Sequence, residues 1–184
     1  MNLLDWYNNG LTKEEYINGM NVNKSEMMGI YDKFSLNETH KSRLASLNDK
    51  SLKAIVLTED WCGDAMLNNP ILLKIAEEIG IEVRFVLRDS NLELMDQYLT
   101  NGTSRAIPIF IFLNSEGEEV AVWGPRAAKM QEFVMEERSK LPSKEDLAFS
   151  EKQSAMYKNI TSAYQETPGY WDVVAESIIE KLNV

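Results

Sequence analysis

Short apolar runs and helical apolar stripes alternate along the middle of the chain. Residues 53–58 form a Val/Ile-rich run that is typical of a buried strand. Residues 63–79 carry apolar side chains at helical spacing, and Gly80 follows as a stop signal. Pro70 lies inside this stripe, where a proline is expected to kink the helix. The pattern predicts a buried strand that leads directly into a long helix.

The same alternation continues to about residue 138. Further strands are predicted at 81–88, 108–113 and 119–123. A hairpin turn is expected at 114–118, a short helix over 91–100, and another helix from Gly124-Pro125 onward. The first two strands, joined by a helix, should be parallel with a right-handed crossover, and the last two should form an antiparallel hairpin. The predicted fold class is therefore α/β, with a small mixed four-stranded sheet and helices on both faces.

Helical patterns flank this segment on both sides. Thr12 precedes Glu15 by three residues, which is the spacing of a capping box. Toward the C-terminus, Ser143 is the expected N-cap of one helix. Thr167 followed by Pro168 predicts the start of another, with proline at the first helical position.

The 184 residues are expected to form a single domain, since about 100–200 residues is the usual size of one. The core should span about 50–138, with helical extensions at 1–49 and 141–184. No apolar run approaches the ~20 residues that cross a bilayer, and the N-terminus shows no basic segment followed by an apolar one. These patterns lead us to expect a cytoplasmic protein.

Composition limits the possible partners. The formal net charge of -10 argues against nucleic acid and anionic membranes, because phosphate binding requires a basic patch. Cys62 is the only cysteine, so no internal disulfide can form, which fits a reducing compartment. One cysteine and one histidine cannot fill a zinc site, and we expect no metal. Nothing in the pattern indicates an oligomeric state.

Cys62 stands at the predicted junction between the first strand and its helix. A thiolate there gains from the helix dipole and the free backbone N–H groups, which usually lowers the cysteine pKa. Three acidic residues, Glu59, Asp60 and Asp64, lie within a few positions and oppose the thiolate. The two effects are of similar size, so the sequence leaves both a reactive thiol and a buried structural cysteine open.

Three segments together resemble the thioredoxin fold. The stretch "WCGDA" at 61–65 stands where thioredoxins carry Trp-Cys-x-x-Cys. The stretch "AIPIF" at 106–110 resembles the segment that holds their cis-proline, and "VWGP" at 122–125 resembles the segment after their last strand. The resemblance covers about 50–138, and the first motif is also similar to that of bacterial thioredoxin-like proteins with Trp-Cys-Gly-Asp-Ala.

The resemblance implies a substrate groove around the thiol. It makes Pro108 the cis-proline facing the cysteine and leaves the backbone of Ile107 to pair with an extended substrate segment. It places Gly124 at the border of the groove. Ala65 departs from the pattern, because it replaces the second cysteine that resolves a mixed disulfide.

The expected activity is therefore monothiol exchange by Cys62. A mixed disulfide would be resolved by an external thiol, either on a partner protein or on a low-molecular-weight co-substrate, with no other cofactor. Two alternatives remain open: a thioredoxin-fold binding module without redox chemistry, and a stoichiometric oxidant sensor. Whether the protein is an enzyme is therefore undecided.

Other residues near the motif each have two interpretations. Trp61 either contacts a partner or packs, and Gly63 either admits a ligand backbone or permits the turn. Asp64 either caps the helix start or carries a proton for the thiol. Arg105 either attracts an anionic substrate group or is a solvated loop charge. His40 either forms a catalytic pair with the thiol or lies at the edge of the core.

Overall fold

Four strands form one mixed sheet in the protein, whose computed structural model describes residues 2–48 and 50–183. The strands are β1 (Lys53–Thr58), β2 (Glu82–Leu87), β3 (Ile109–Leu113) and β4 (Glu119–Trp123). Their spatial order is β2-β1-β3-β4. β1 is parallel to β2 and antiparallel to β3, and β3 is antiparallel to β4. The predicted mixed α/β sheet is confirmed.

The central strand β1 is buried on both faces. Ala54 and Val56 belong to one apolar cluster, and Ile55 and Leu57 belong to a second one. Successive side chains of a strand point to opposite faces, so a continuous apolar run requires cover on both sides. Helices supply that cover, as the sequence predicted.

The long helix α5 (Gly63–Ile79) follows β1 and packs on one face of the sheet. Gly80, with φ of 73°, adopts the left-handed conformation that ends the helix. The helix continues through Pro70, whose neighbours are buried. The stabilisation from tertiary packing therefore outweighs the cost of the intrahelical hydrogen bond that is lost because proline has no N–H.

The N-terminal extension packs partly on the sheet and partly on the helices that cover it. Its helices are α1 (Leu3–Asn9), α2 (Lys13–Gly19), α3 (Lys24–Lys33) and α4 (Glu38–Leu44). Leu11 exchanges two backbone hydrogen bonds of 2.8 Å with Phe85 and so covers the outer edge of β2. The predicted capping box of Thr12 and Glu15 is confirmed at the start of α2.

Four further α-helices lie in the described part of the chain. They are α6 (Leu92–Met95), α7 (Ala128–Ser139), α8 (Phe149–Glu166) and α9 (Pro168–Leu182). Pro168 occupies the first turn of α9 as predicted, although the Thr167 side chain donates and accepts no capping bond. Among the described helices, none combines the length and hydrophobicity that crossing a bilayer requires.

Two helix predictions were wrong in their extent. The helix expected over 91–100 is only the four residues of α6, because the backbone N–H groups of Gln97 and Tyr98 donate to carbonyls three residues earlier, in tight turns that end the α-helix. Ser143 caps no helix, since its carbonyl accepts from the backbone of Asp146 within a turn. The Asp146 carboxylate accepts from the backbone N–H of Ala148, and α8 begins one residue later.

Candidate functional site

Cys62 occupies the N-cap position of α5 and is 8% exposed. Its thiol donates a hydrogen bond of 3.4 Å to the backbone carbonyl of Ile107. The Ile107-Pro108 peptide bond is cis, as the resemblance implied. The end of β1 and the start of β3 thus bring the sulfur against the segment before β3, although 45 residues separate the two in the chain.

A glycine holds the end of β4 close to the cis-proline. Gly124 has φ of 132°, and a Cβ placed on it would lie 2.3 Å from the carbonyl oxygen of Pro108. Only glycine fits both this backbone conformation and this approach. Ile107 and Pro108 are both buried, so the wall behind the sulfur is closed rather than open.

Burial controls the thiol's acidity. The pKa of Cys62 is raised to about 11. Burial is the largest cause, and the nearby Asp64 carboxylate acts in the same direction. The backbone N–H groups of Ala65 and Asp64 and the Arg126 guanidinium act in the opposite direction. The cost of desolvating the thiolate therefore outweighs the stabilisation that the N-terminus of α5 gives it.

The other two acids of the motif are engaged elsewhere. Glu59 is buried and accepts a 2.7 Å hydrogen bond from the backbone N–H of Asp89. Asp60 accepts from the backbone N–H groups of Asn21 and Val22, at 2.7 and 3.1 Å. The Glu59 side chain thus binds the backbone of the segment after β2, and the Asp60 side chain binds the backbone of the loop after α2.

Asp64 forms an ion pair that the sequence did not reveal. Its carboxylate accepts from Arg126 at 2.6 and 2.8 Å and from the Tyr164 hydroxyl at 2.9 Å. Arg126 also donates to Gln131 at 2.7 Å. The two paired side chains are only 13% and 14% exposed, so this is a largely buried, charge-assisted network at the first turn of α5.

Helix α8 packs directly on the motif. A Cβ placed on Gly63 would lie 3.1 Å from the Cγ2 of Thr161, so the helices approach each other closely at this point. Tyr164, one turn farther along α8, is fully buried and bonds Asp64. The C-terminal extension is therefore part of the site and not only a cover for the core.

A pocket of ≈ 440 Å³ opens beside the sulfur. Its walls come from the motif, α7, α8 and the loop after α2. Four residues predicted for the site line it: Trp61, Cys62, Gly63 and Asp64. Ile107, Pro108 and Gly124 do not line it, so the structure divides the predicted residues into a pocket wall and a back wall that meet at the sulfur.

Trp61 and Arg105 have charged partners of their own, and His40 lies away from the pocket. Trp61 is 48% exposed, with the Arg88 guanidinium 4.8 Å above its ring. Arg105 forms a two-point ion pair with Asp96 on the surface, at 2.7 and 2.8 Å. His40 is fully buried in α4 and does not line the pocket. In the part of the chain that the structure describes, no three ligand-type side chains are grouped to hold a metal ion.

Comparison with known proteins agrees with the fold. A family model described as Thioredoxin matches residues 10–142, which is well over half of the chain, so the protein belongs to this thioredoxin family. A search of curated proteins gave no match.

Two solved structures match almost the whole chain. An HIV epitope-scaffold protein has a TM-score of 0.71 at 13% identity, covering 99% of this chain and 98% of its own. A Pseudomonas aeruginosa protein of unknown function has a TM-score of 0.66 at 18% identity, with 98% of each chain covered. At these identities the two matches support the fold alone. A Fasciola hepatica thioredoxin matches 52% of this chain and 88% of its own at 27% identity, with a TM-score of 0.34.

Proposed function

We propose that the protein is a thiol-redox protein that acts through Cys62 alone. The observation that carries this proposal is the position of the sulfur, which lies at the start of α5, against the Ile107-Pro108 segment, and in the wall of a pocket. Trp61, Gly63 and Asp64 form the pocket side of the site. Ile107, Pro108 and Gly124 form the back wall that fixes the sulfur's position.

The mechanism is monothiol exchange. The Cys62 thiolate attacks a disulfide R–S–S–R′, a Cys62–S–S–R bond forms, and R′–S⁻ leaves and takes up a proton. Ala65 is buried and carries no thiol, so the protein cannot resolve this intermediate itself. The thiolate of an external thiol G–SH attacks the sulfur of R, which forms R–S–S–G and releases the Cys62 thiolate.

The raised pKa slows this reaction without preventing it. With a pKa of about 11 instead of 9.0, the thiolate fraction near neutral pH falls by about 100-fold. A more basic thiolate is also more nucleophilic, which recovers about eightfold. The net rate is therefore roughly tenfold below that of an ordinary thiol, and it should rise with pH.

A second candidate is a binding protein that kept the fold without the chemistry. The burial of Cys62 and its raised pKa favour this function, since both are typical of a structural cysteine. In that case the pocket would bind its ligand without forming a covalent bond.

Exchange with a disulfide reagent separates the two functions. The folded protein is mixed with bis(2-hydroxyethyl) disulfide at pH 8, and mass spectrometry follows the adduct. We expect one adduct that added 2-mercaptoethanol reverses over repeated cycles, with Cys62→Ser unreactive. Many turnovers of disulfide and added thiol per protein molecule would distinguish exchange from a stoichiometric oxidant sensor. An adduct that forms only after unfolding in urea would contradict redox function and support the binding protein.

A further inference from the structure

We infer that the pocket beside Cys62 binds a small disulfide or thiol that carries a carboxylate, which Arg138 recognises. This inference rests on the proposed exchange at Cys62 and names the class of its substrate. The juxtaposition of three features supports it: the Cys62 sulfur in the pocket wall, an exposed arginine in the same lining, and an apolar rim.

Among the described residues that line the pocket, one cation is left uncompensated. The Asp64 carboxylate and the Arg126 guanidinium neutralise each other through their ion pair. Cys62 is a neutral thiol at physiological pH because its pKa is raised. Arg138 is exposed and has no ion-pair partner among residues 2–48 and 50–183.

A single free guanidinium favours an anionic group, even though the whole chain has a net charge of -10. Its planar fork matches a carboxylate at two points, and the site is only partly open to solvent. A cationic ligand would be repelled by Arg138, and the described lining offers it no uncompensated acidic side chain.

The rest of the lining is mostly apolar. Three large side chains at the pocket are about half exposed, Val22 at 46%, Trp61 at 48% and Tyr157 at 48%. Val134 and Ile160 are buried deeper in the same lining. The ligand should therefore have an apolar body together with its charged group.

The pocket's size indicates a small molecule instead of a protein partner. A volume of ≈ 440 Å³ lies within the range of about 300–1,000 Å³ that is usual for small-ligand sites. The backbone at Ile107, which the resemblance assigned to pairing with an extended peptide, is buried behind the sulfur. Arg138 and Cys62 line the same pocket, so a small ligand in it can contact both the guanidinium and the sulfur.

Three matched disulfides test the charge preference. The reagents are 3,3′-dithiodipropionate, bis(2-hydroxyethyl) disulfide and cystamine, which are anionic, neutral and cationic. Adduct formation at Cys62 is timed by mass spectrometry in the wild-type protein and in Arg138→Gln. Arg43→Gln is the control, because Arg43 is exposed, does not line the pocket, and its loss changes the net charge equally.

We expect Arg138→Gln to slow the anionic disulfide about fivefold, to leave the neutral one within about twofold, and to speed the cationic one. Arg43→Gln should alter none of the three by more than about twofold. An equal effect of Arg138→Gln on all three reagents would overturn the inference and leave the exchange function intact. If folded wild-type protein reacts with none of them, the proposed function fails first and the inference fails with it.

Discussion

Two opposite charges flank the Cys62 thiol and shift its pKa in opposite directions. Asp64 raises the thiol pKa and Arg126 lowers it. We predict that Asp64→Asn lowers the pKa and speeds alkylation by iodoacetamide at pH 8, roughly threefold to fourfold for each unit of pKa, because the larger thiolate fraction is partly offset by the lower nucleophilicity of a less basic thiolate. Arg126→Gln should raise the pKa and slow the same reaction.

Stability provides the check on this pair of variants. Each variant leaves one largely buried charge unpaired, so both should lose about 3 kcal/mol in urea denaturation. Tyr164→Phe removes one hydrogen bond to Asp64 and leaves both charges in place, so it should lower the free energy of unfolding by about 1 kcal/mol. Alkylation that accelerates in both charge variants would show general loosening of the site and would contradict the electrostatic explanation.

Ionisation of the Cys62 thiol makes the free energy of unfolding vary with pH in the alkaline range. The pKa of Cys62 is about 11 in the folded protein, above the ordinary value of 9.0. The unfolded chain therefore ionises first, and the stabilisation is fully present below pH 9 and is lost between pH 9 and pH 11.

We expect this loss to be about 2–3 kcal/mol for the wild-type protein relative to Cys62→Ser. Urea denaturation at several pH values measures it. The buried tyrosines titrate in both proteins, so the difference isolates Cys62. Parallel stability curves for the two proteins across this range would show that the native thiol is not protected.

Part of the geometry around Cys62 could be predicted from the sequence and part could not. The approach of Cys62 and Pro108 was predictable because each stands in a local motif with a recognisable spacing. Arg126 and Tyr164 were missed because they reach Asp64 from 62 and 100 residues away. No local pattern distinguishes such an arginine or tyrosine from any other, so only the packing of α7 and α8 reveals them.

At the scale of elements, the site depends on how closely α8 approaches α5. Gly63 permits this approach, since a Cβ there would lie 3.1 Å from the Cγ2 of Thr161. We predict that Gly63→Ala destabilises the wild-type protein by about 1 kcal/mol. In a Thr161→Ser background, which removes the methyl group and keeps the hydroxyl, the same change should be neutral or stabilising.

Urea denaturation of the four proteins gives a coupling energy of about 1 kcal/mol if the contact is real. Gly29→Ala is the control, because Gly29 lies in α3 with nothing within 4 Å of an added Cβ. It should stabilise the protein by about 0.5–1 kcal/mol through helix propensity. A coupling energy near zero would mean that the two helices do not press together at this point.

The strands were easier to predict than the short helices. β1 and β3 were located closely because their runs are buried on both faces, which requires continuous hydrophobicity. α6 and the start of α8 were misplaced because turn geometry sets their ends. The tight turns at Gln97 and Tyr98 and the turn at Asp146 depend on backbone conformations that a hydrophobic pattern does not report.

At the scale of the whole molecule, one apolar cluster joins both extensions to the sheet. It contains Ile30 of α3, Phe110 of β3 and Ile178 of α9, all almost completely buried. A second cluster on the other face of the sheet includes residues of α1 and α6, such as Trp6 and Leu94. Neither extension has a core that excludes the sheet, which is why a single domain over 1–184 stays our prediction.

A single cooperative transition should therefore describe unfolding. We predict that tryptophan fluorescence and far-ultraviolet circular dichroism give the same urea midpoint. Ile30→Val and Ile178→Val should each cost about 1 kcal/mol and shift both signals together, although the two residues belong to opposite extensions. A variant that moves one signal without the other would show that its extension unfolds separately, and the pocket that both extensions help to line would then open before the sheet unfolds.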